Sequence, residues 1–204
     1  MLLLDEPFAA IDAKVRKELR RWLKDMIEKL GITSIFVTHD QDEAVEVADE
    51  LIITNQGRVE QMGTPVDIYR NPKTAFVAQF IGESIILENY EYEKLGGFSR
   101  QKNAPKAAIR PEFVQVVPTD EKIEKSSTNM KGKIVDTEFR GNSVELTIAY
   151  DNLEIKASHQ IEDFAVKKGD EIYFKVTRLY AFDDDNAYTL INDALKDNPE
   201  MYYI

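Results

Sequence analysis

The first 82 residues alternate between short apolar runs and amphipathic segments. The strand-like runs are LLLDE, SIFVTHD and LIITNQGRVEQMG, and each ends in polar or turn-forming residues. Between the first two runs, apolar residues recur at helical spacing over residues 13–30. A shorter helix is predicted over residues 41–49, so the pattern indicates an α/β unit. The apolar face of the first helix comprises Val15, Leu19, Trp22, Leu23, Met26, Ile27 and Leu30.

Both predicted helices have suitable capping residues. Asp12 can cap the start of the first helix and Gly31 can end it. Asp40 and Glu43 have the spacing of a capping box, so the second helix should begin directly after His39. The β-rich run before His39 lies between two helices. It therefore predicts a parallel strand covered on both faces, with its chemistry at the carboxyl end.

From residue 83 onward, short β runs replace the helical period. Their spacing predicts a small Greek-key barrel of the oligonucleotide/oligosaccharide-binding (OB) type. The polar stretch 119–129 predicts an exposed loop within this barrel. The domain boundaries are therefore expected at 1–82 for the α/β part and 83–204 for the all-β part. The predicted strand runs are IILENYEY, KAAIRPEFVQVV, MKGKIVDTEFR, NSVELTIAY, LEIKASH, DEIYFKVTRLY and AYTLIN.

Composition narrows the possible classes of protein. The 204 residues include no cysteine and no apolar stretch of membrane-spanning length, which favours a soluble protein of two small domains in a reducing compartment. No secretory apolar region follows Met1, so the cytoplasm is the default compartment. The net charge of −11 repels nucleic-acid backbones, so we expect no nucleic-acid partner.

Candidate chemistry lies at the ends of the first two strands. Asp5 and Glu6 are adjacent carboxylates followed by Pro7, and His39 ends the second strand. In a nucleotide hydrolase, such carboxylates can hold Mg²⁺ and deprotonate the attacking water, and the histidine can donate to the terminal phosphate. Taken singly, the carboxylates can equally form a solvated acidic turn, and the histidine can be a structural donor.

The order of these motifs resembles the ATP-binding-cassette (ABC) ATPases. LLLDEPFAAID resembles their Walker B strand and D-loop, and VTHDQDEA resembles their switch-histidine loop. ADELIITNQGRVEQMGTPVDIYRNPKTAFVAQFIGES is similar to the end of the nucleotide-binding domain of importer ATPases. AIRPEFVQV and VDTEFRGNSVELTI resemble their transport-associated OB (TOBE) domain. The resemblance implies the C-terminal half of a P-loop NTPase domain followed by an OB-type regulatory barrel.

The resemblance also implies roles for four residues. Asp5 would act on Mg²⁺ through water, Glu6 would be the general base and His39 the γ-phosphate switch. Asp12 would belong to the D-loop at the nucleotide-binding dimer interface. The D-loop departs slightly from the family pattern, because AAID stands where SALD is common.

A larger departure is the lack of a phosphate-binding G-x-x-x-x-G-K-[ST] loop in the sequence. The family's signature motif and glutamine loop are lacking too. We therefore expect a C-terminal part of a longer subunit, arising from truncation, an internal start or a gene fragment. ATP and Mg²⁺ are expected in the complete subunit, whereas this chain alone is expected to bind neither and to be inactive as an ATPase.

The sequence around EVAD and NQGRVEQ is most similar to that of ATPases of sulfate/thiosulfate importers. Importers of polyamines, ferric ion or another small solute stay open as alternatives. The implied partners are transmembrane permease subunits and a second ATPase subunit, in a homodimer at the inner face of the cell membrane. An alternative of a different class is a free-standing OB-type module that binds a small oxyanion, a metal ion or nucleic acid.

Three features of the β-rich half carry less functional information. Arg110 and Glu112 are interpreted as structural ion-pair formers, with a regulatory pocket as the alternative. The run 183–185 is interpreted as an acidic hairpin tip, because it lacks the spacing of a dedicated Ca²⁺ loop. His159 is expected at a strand end.

Overall fold

A computed structural model describes residues 1–9, 11–118, 128–161 and 165–196. The chain divides into two compact units, Met1–Asn71 and Pro72–Ile204. In the first unit, the helices and strands are β1 (Leu2–Asp5), α1 (Ala13–Leu30), β2 (Ser34–Val37), α2 (Gln41–Val47), β3 (Leu51–Asn55), β4 (Arg58–Gly63) and α3 (Pro65–Arg70). Strands β1 and β2 pair in parallel, and β3 and β4 form an antiparallel hairpin.

The predicted helix starts are confirmed by their capping contacts. The side chain of Asp12 accepts a hydrogen bond from the Lys14 amide, and Gly31 ends α1 in the left-handed conformation. At α2, the Glu43 amide donates to Asp40 Oδ1 over 3.1 Å. Helix α2 ends two residues earlier than predicted, because the backbone of Ala48 is extended.

The apolar face of α1 is buried only along one side. Leu23 is buried, but Val15, Trp22 and Leu30 are each more than half exposed. The sheet shows the same imbalance, because Ile35 and Val37 on β2 are also more than half exposed. The prediction that β2 is covered on both faces is therefore wrong for this chain. Within the described residues, nothing is packed over that face of the two-stranded sheet.

The second unit contains one helix and nine strands among the described residues. They are α4 (Ala75–Gly82), β5 (Ile85–Leu87), β6 (Lys106–Ile109), β7 (Val114–Pro118), β8 (Met130–Phe139), β9 (Ser143–Tyr150), β10 (Leu153–Gln160), β11 (Glu171–Val176), β12 (Arg178–Phe182) and β13 (Ala187–Ile191). Five strands form an antiparallel sheet in the order β10-β9-β8-β11-β7, and β10 also contacts β7, so the sheet curls into a barrel. A four-stranded sheet has the order β13-β12-β6-β5.

Two of the predicted strand runs are each divided between the two sheets. The first breaks at Pro111, which begins a 3₁₀ turn between β6 and β7. The second breaks at Thr177, between β11 and β12. The two breaks meet, because the amide and hydroxyl of Thr177 both donate to the carbonyl of Phe113, over 2.8 and 2.9 Å. The chain therefore crosses between the sheets at one shared corner.

A third predicted run, IILENYEY, is a strand only over β5, and its end forms a 3₁₀ turn at Glu91–Lys94. Most of the predicted loop 119–129 lies outside the described residues. Thr128, which is described, is buried, so the end of that stretch is not exposed.

The division between the units lies before the predicted boundary at residue 82/83, because α4 packs on β5 and β6. At the end of α4, Gly82 lies directly against Arg110, whose side chain is buried. Arg110 Nη1 donates to the hydroxyl of Tyr180 over 3.3 Å. The residue that was expected to form a structural ion pair thus lies inside the second unit and contacts both an aromatic side chain and a helix end.

None of the helices in the described ranges is long and apolar enough to cross a membrane.

Candidate functional site

The parallel pairing of β1 and β2 brings their carboxyl ends together. Asp5 is in register with Val37, and the Glu6 amide extends the ladder by donating to the Val37 carbonyl over 2.8 Å. Since both strands run in the same direction, the residues that follow them leave the sheet at the same edge. Glu6 follows β1 directly, and His39 follows β2 after Thr38.

The backbone turns sharply at Glu6, which has a φ of 44°. A positive φ is uncommon for a residue with a side chain and takes the chain away from the line of the strand. The Ala9 amide donates to the Glu6 carbonyl over 3.2 Å, and the buried Phe8 anchors the same turn. The Glu6 carboxylate is therefore presented beside the sheet edge and does not continue the strand.

Glu6 and His39 are in direct contact. The distance between Glu6 Oε1 and His39 Nδ1 is 3.0 Å, and both side chains are largely accessible to water. A carboxylate in this position favours the tautomer with the proton on Nδ1, which leaves Nε2 as an acceptor. When the imidazole is protonated, Nε2 becomes a second donor that can contact an anion. The pair can thus supply a base and a switchable donor side by side.

The other two predicted site residues have different surroundings. Asp5 is exposed at the end of β1, next to Glu6. Asp12 uses a side-chain oxygen to cap α1, with a distance of 3.0 Å to the Lys14 amide. Among the described residues, no group of three or more histidine, aspartate or glutamate side chains could hold a metal ion. Asp5 therefore offers a single carboxylate ligand and does not form part of a complete protein cage.

A polar network behind the pair was missed by the sequence reasoning. The Thr38 hydroxyl donates to Glu43 Oε2 over 2.7 Å and accepts from the Asp40 amide over 3.0 Å. In a reciprocal capping box, Glu43 would accept from that amide itself, so Thr38 is inserted between the two. Arg16 on α1 lies 3.4 Å from Asp40 and 4.0 Å from Glu43. The sequence signal was the position of Arg16, one helical turn after the cap Asp12.

In the second unit, the polar groups near Arg110 form a cationic and aromatic cluster. The Arg178 guanidinium lies over the ring of Phe113, 4.1 Å from its centroid, and Phe113 packs edge-on against Tyr180. Burial raises the pKa of Tyr180, and the positive charges of Arg110 and Arg178 oppose that increase. This cluster stabilises the junction between the two sheets and carries no reactive group.

The acidic run 183–185 forms the turn between β12 and β13, as the hairpin-tip interpretation predicted. A hydrogen bond from Tyr188 lowers the pKa of Asp183, and the amides of Asp185 and Asn186 also donate to this carboxylate. The carboxylate of Asp183 is therefore used within the turn. His159 is buried at the penultimate position of β10.

Comparison with known proteins gives the second unit a family. Residues 107–178 match the family model described as the TOBE domain. The Bacillus cereus protein named "Sulfate/thiosulfate import ATP-binding protein CysA" is 36% identical over 198 residues, which cover 89% of this chain and 54% of that protein. The chain contains a TOBE domain and is homologous to the C-terminal part of ABC-importer ATP-binding subunits.

Two further relatives also carry the names of importer ATP-binding subunits. The Bacillus thuringiensis protein named "Spermidine/putrescine import ATP-binding protein PotA" is 44% identical over 173 residues, or 80% of this chain and 48% of that protein. A Vibrio vulnificus protein with the CysA name is 64% identical over 84 residues, or 41% of this chain and 24% of that protein. The chain thus spans about half the length of the importer subunits that it matches over most of its residues.

One solved structure also matches this chain, but the match is weak. It is a crystal structure of the cytoplasmic molybdate-binding protein ModG with molybdate bound, at 16% sequence identity and a TM-score of 0.32. The match covers 42% of this chain and 60% of the ModG chain. A TM-score of this size supports no structural conclusion.

Proposed function

We propose that this chain forms the C-terminal half of the ATP-binding subunit of an ABC importer. In this proposal, the first unit, Met1–Asn71, is the end of the nucleotide-binding domain, with its Walker B strand, D-loop and switch-histidine loop. The second unit, Pro72–Ile204, contains the regulatory domain. The observation that carries the proposal is the 3.0 Å contact between Glu6 and His39 at the carboxyl ends of two adjacent parallel strands. Ligands of open α/β sheets bind at that edge.

Glu6 and His39 are the residues to which we assign the chemistry. Glu6 is the general base that takes a proton from the attacking water, since its carboxylate is accessible and held by a fixed backbone turn. His39 contacts the terminal phosphate through Nε2, because Nδ1 is occupied by Glu6. Asp12, beside the start of α1, contributes to the nucleotide site at a dimer interface.

Mg²⁺ fits the donor chemistry at the end of β1. The ion binds hard oxygen ligands and commonly takes one or two carboxylates together with the phosphates of a nucleotide. The exposed carboxylate of Asp5 is such a ligand, and it acts through a bound water in this proposal. When bound, Mg²⁺ neutralises charge that develops on the β- and γ-phosphates.

The rest of the subunit supplies what this sequence lacks. Phosphoryl transfer depends on positioning and charge stabilisation, and the sequence lacks the G-x-x-x-x-G-K-[ST] motif whose loop cradles the phosphates. Leu3, Ile35 and Val37 are exposed on one face of the β1–β2 sheet. An exposed apolar face of this kind supports the proposal that another part of the subunit packs there. In the proposal, the other half of the ATPase domain packs on this face.

The partners of the complete subunit are permease subunits and a second ATPase subunit, at the cytoplasmic face of the cell membrane. For the transported solute, we infer sulfate or thiosulfate, since 84 residues are 64% identical to a relative with that name. Polyamine is a specific second candidate, because the 44% match to the spermidine/putrescine relative extends over 173 residues. Ferric ion or another small solute stays as a less supported alternative.

A completed subunit tests the proposal. It consists of this chain fused after the part of the Bacillus cereus relative that precedes the region of similarity. In cells lacking their own importer ATPase, we expect this subunit to restore uptake of labelled sulfate, while restoration of spermidine uptake alone would favour the polyamine alternative. The variant His39→Ala should fold but lower ATP turnover, and equal turnover would contradict the role of His39.

The free-standing OB-type module is the alternative from a different class. Such barrels bind many kinds of ligand, so the fold supports it only by analogy. Nucleic acid is the least supported ligand, since the net charge is −11. Titration of the chain with labelled single-stranded DNA at low salt separates the hypotheses, because clear binding would favour the module and contradict our expectation.

A further inference from the structure

Arg16 contacts both of the chain segments that carry the proposed catalytic pair. One segment comprises the described residues 6–9 and 11–12, up to the cap of α1 at Asp12. The other runs from Thr38 to the cap of α2 at Asp40. We propose that Arg16 is a positioning residue that holds these two segments at the spacing required for the Glu6–His39 contact. Its effect on hydrolysis rests on the proposed function, whereas its effect on the contact does not.

On the first segment, Arg16 binds a backbone carbonyl with two nitrogens. Its Nη2 and Nε donate to the Ile11 carbonyl over 3.0 and 3.3 Å. Ile11 directly precedes Asp12, and its amide donates to Phe8 within the turn that begins at Glu6. A planar guanidinium that donates twice to one oxygen fixes its direction better than a single donor does. The turn is therefore tied to α1 through a side chain and not through its cap alone.

On the second segment, Arg16 lies beside two carboxylates. Its Nη1 lies 3.4 Å from Asp40 Oδ2, and its Nε lies 4.0 Å from Glu43 Oε1. The residues on both sides of His39 belong to the same network, since the Thr38 hydroxyl donates to Glu43 and accepts from the Asp40 amide. Fixing these neighbours fixes the backbone from which the imidazole projects.

Because the contacts of Arg16 are more buried, they can hold the two segments together better than the Glu6–His39 contact can. The Glu43 side chain is 3% exposed and that of Arg16 29%, whereas the His39 side chain is 76% exposed. Ion pairs surrounded by water contribute little, because solvent screens them and the side chains lose entropy. The Glu6–His39 contact is thus too weak to hold two segments together by itself. The partly buried network around Arg16 can hold the two segments together.

The test uses nuclear magnetic resonance on the full chain without nucleotide. The measured quantity is the change in the His39 ring chemical shifts caused by Glu6→Gln, determined with Arg16 present and in an Arg16→Ala background. We expect a clear change with Arg16 present and its loss in Arg16→Ala. Arg16→Lys should give a reduced change, because it keeps the charge but not the forked donors.

Arg20→Ala is the matched control. Arg20 lies one turn further along α1, is buried, and has its Nε 3.3 Å from Glu46 Oε2. Its removal takes the same type of charge from the same side of the helix without touching either segment, so the Glu6-dependent shift change should persist. If Arg16 supports the fold but does not position the pair, the Glu6-dependent shift change should persist in Arg16→Ala as well. That result would overturn the proposal.

A second variant covers the case in which Arg16→Ala does not fold. Asp40→Asn keeps a good helix cap but removes the charge that faces Arg16. We expect it to reduce the Glu6-dependent shift change, and an undiminished change would also overturn the proposal. In the completed subunit, Arg16→Ala should lower kcat while KM for MgATP is unchanged. An inactive completed subunit would count against the proposed function only, since the resonance experiment requires no nucleotide.

Discussion

The carboxylate of Glu6 and the imidazole of His39, 33 residues apart in sequence, approach to 3.0 Å at one edge of a two-stranded parallel sheet. The contact follows from the register of β1 with β2, which places the residues after both strands at the same edge. It joins a candidate general base to a candidate hydrogen-bond donor to the terminal phosphate. In the proposed function, these two residues form part of a nucleotide-hydrolysis site.

That half site should not bind nucleotide on its own. The chain has an exposed carboxylate at Asp5, but its sequence lacks the G-x-x-x-x-G-K-[ST] motif whose backbone amides enclose phosphates. We expect isothermal calorimetry of the chain with MgATP to show no binding in the micromolar range. Saturable micromolar binding would mean that the phosphates are held by residues other than those of the family motif.

Gly82→Ala should destabilise the second unit. A Cβ at this position would lie 2.3 Å from Nε of the buried Arg110, so either the side chain or the end of α4 has to move. Overpacking of this kind costs about 1–3 kcal/mol. Thermal unfolding followed by circular dichroism should show the loss. Gly63→Ala is the control, because its added Cβ would meet its nearest neighbour at an ordinary 3.7 Å.

The stability of the barrel should decrease in acid because of Glu145. A hydrogen bond from Lys156 over 2.8 Å is the main cause that lowers the pKa of Glu145, and the carboxylate is mostly buried. A group whose pKa is lower in the folded state stabilises the fold above its unfolded pKa, and this contribution is lost as the pH falls through the folded pKa. Urea unfolding at a series of pH values should show this loss, and Glu145→Gln should remove part of it.

The same pair affects stability at the alkaline end. The hydrogen bond to Glu145 is the main cause that raises the pKa of Lys156, so that contribution is lost as the pH rises through the folded pKa of the lysine. Glu171→Gln is the matched control. Its partner Lys131 is also 2.8 Å away, but both side chains are exposed and screened by solvent. An equal effect of the two glutamine variants would contradict the importance of burial for Glu145.

The full chain should associate through its first unit, the barrel, or both. Val15, Trp22 and Leu30 leave an exposed apolar stripe on α1, in addition to the uncovered face of the β1–β2 sheet. Light scattering should detect a dimer or larger assembly for the full chain. A shorter chain over residues 72–204 locates the contact, because it should be monomeric only when the first unit is responsible. Two monomers at high micromolar concentration would contradict the prediction.

Local signals in the sequence predicted the helices better than they predicted contacts between residues far apart in the chain. Helix α1 was predicted with both of its ends, because apolar spacing, the cap Asp12 and the terminal Gly31 all act within a few residues. The strand breaks at Pro111 and Thr177 were missed, since the hydrogen bonds that join them cross more than 60 residues. The prediction that both faces of β2 are covered failed because it assumed neighbours that the described residues do not supply.

The candidate site shows the same limit. The strand-end pattern predicted Glu6 and His39 at the carboxyl ends of two strands, and the parallel pairing of β1 with β2 brings those ends to one sheet edge. The role of Arg16 had no comparable pattern. Its side chain spans from Ile11 on one segment to Asp40 on the other, and that geometry depends on how α1 packs beside α2.

Turnover by the completed subunit with Glu6→Gln tests the central claim most directly. The glutamine keeps the size of the side chain but cannot take a proton, so MgATP binding should persist while hydrolysis slows by about 10²- to 10⁴-fold. Glu18→Gln, on the exposed surface of α1, is the control and should leave turnover unchanged. Turnover by Glu6→Gln equal to that of the control would contradict the assignment of Glu6 as the general base.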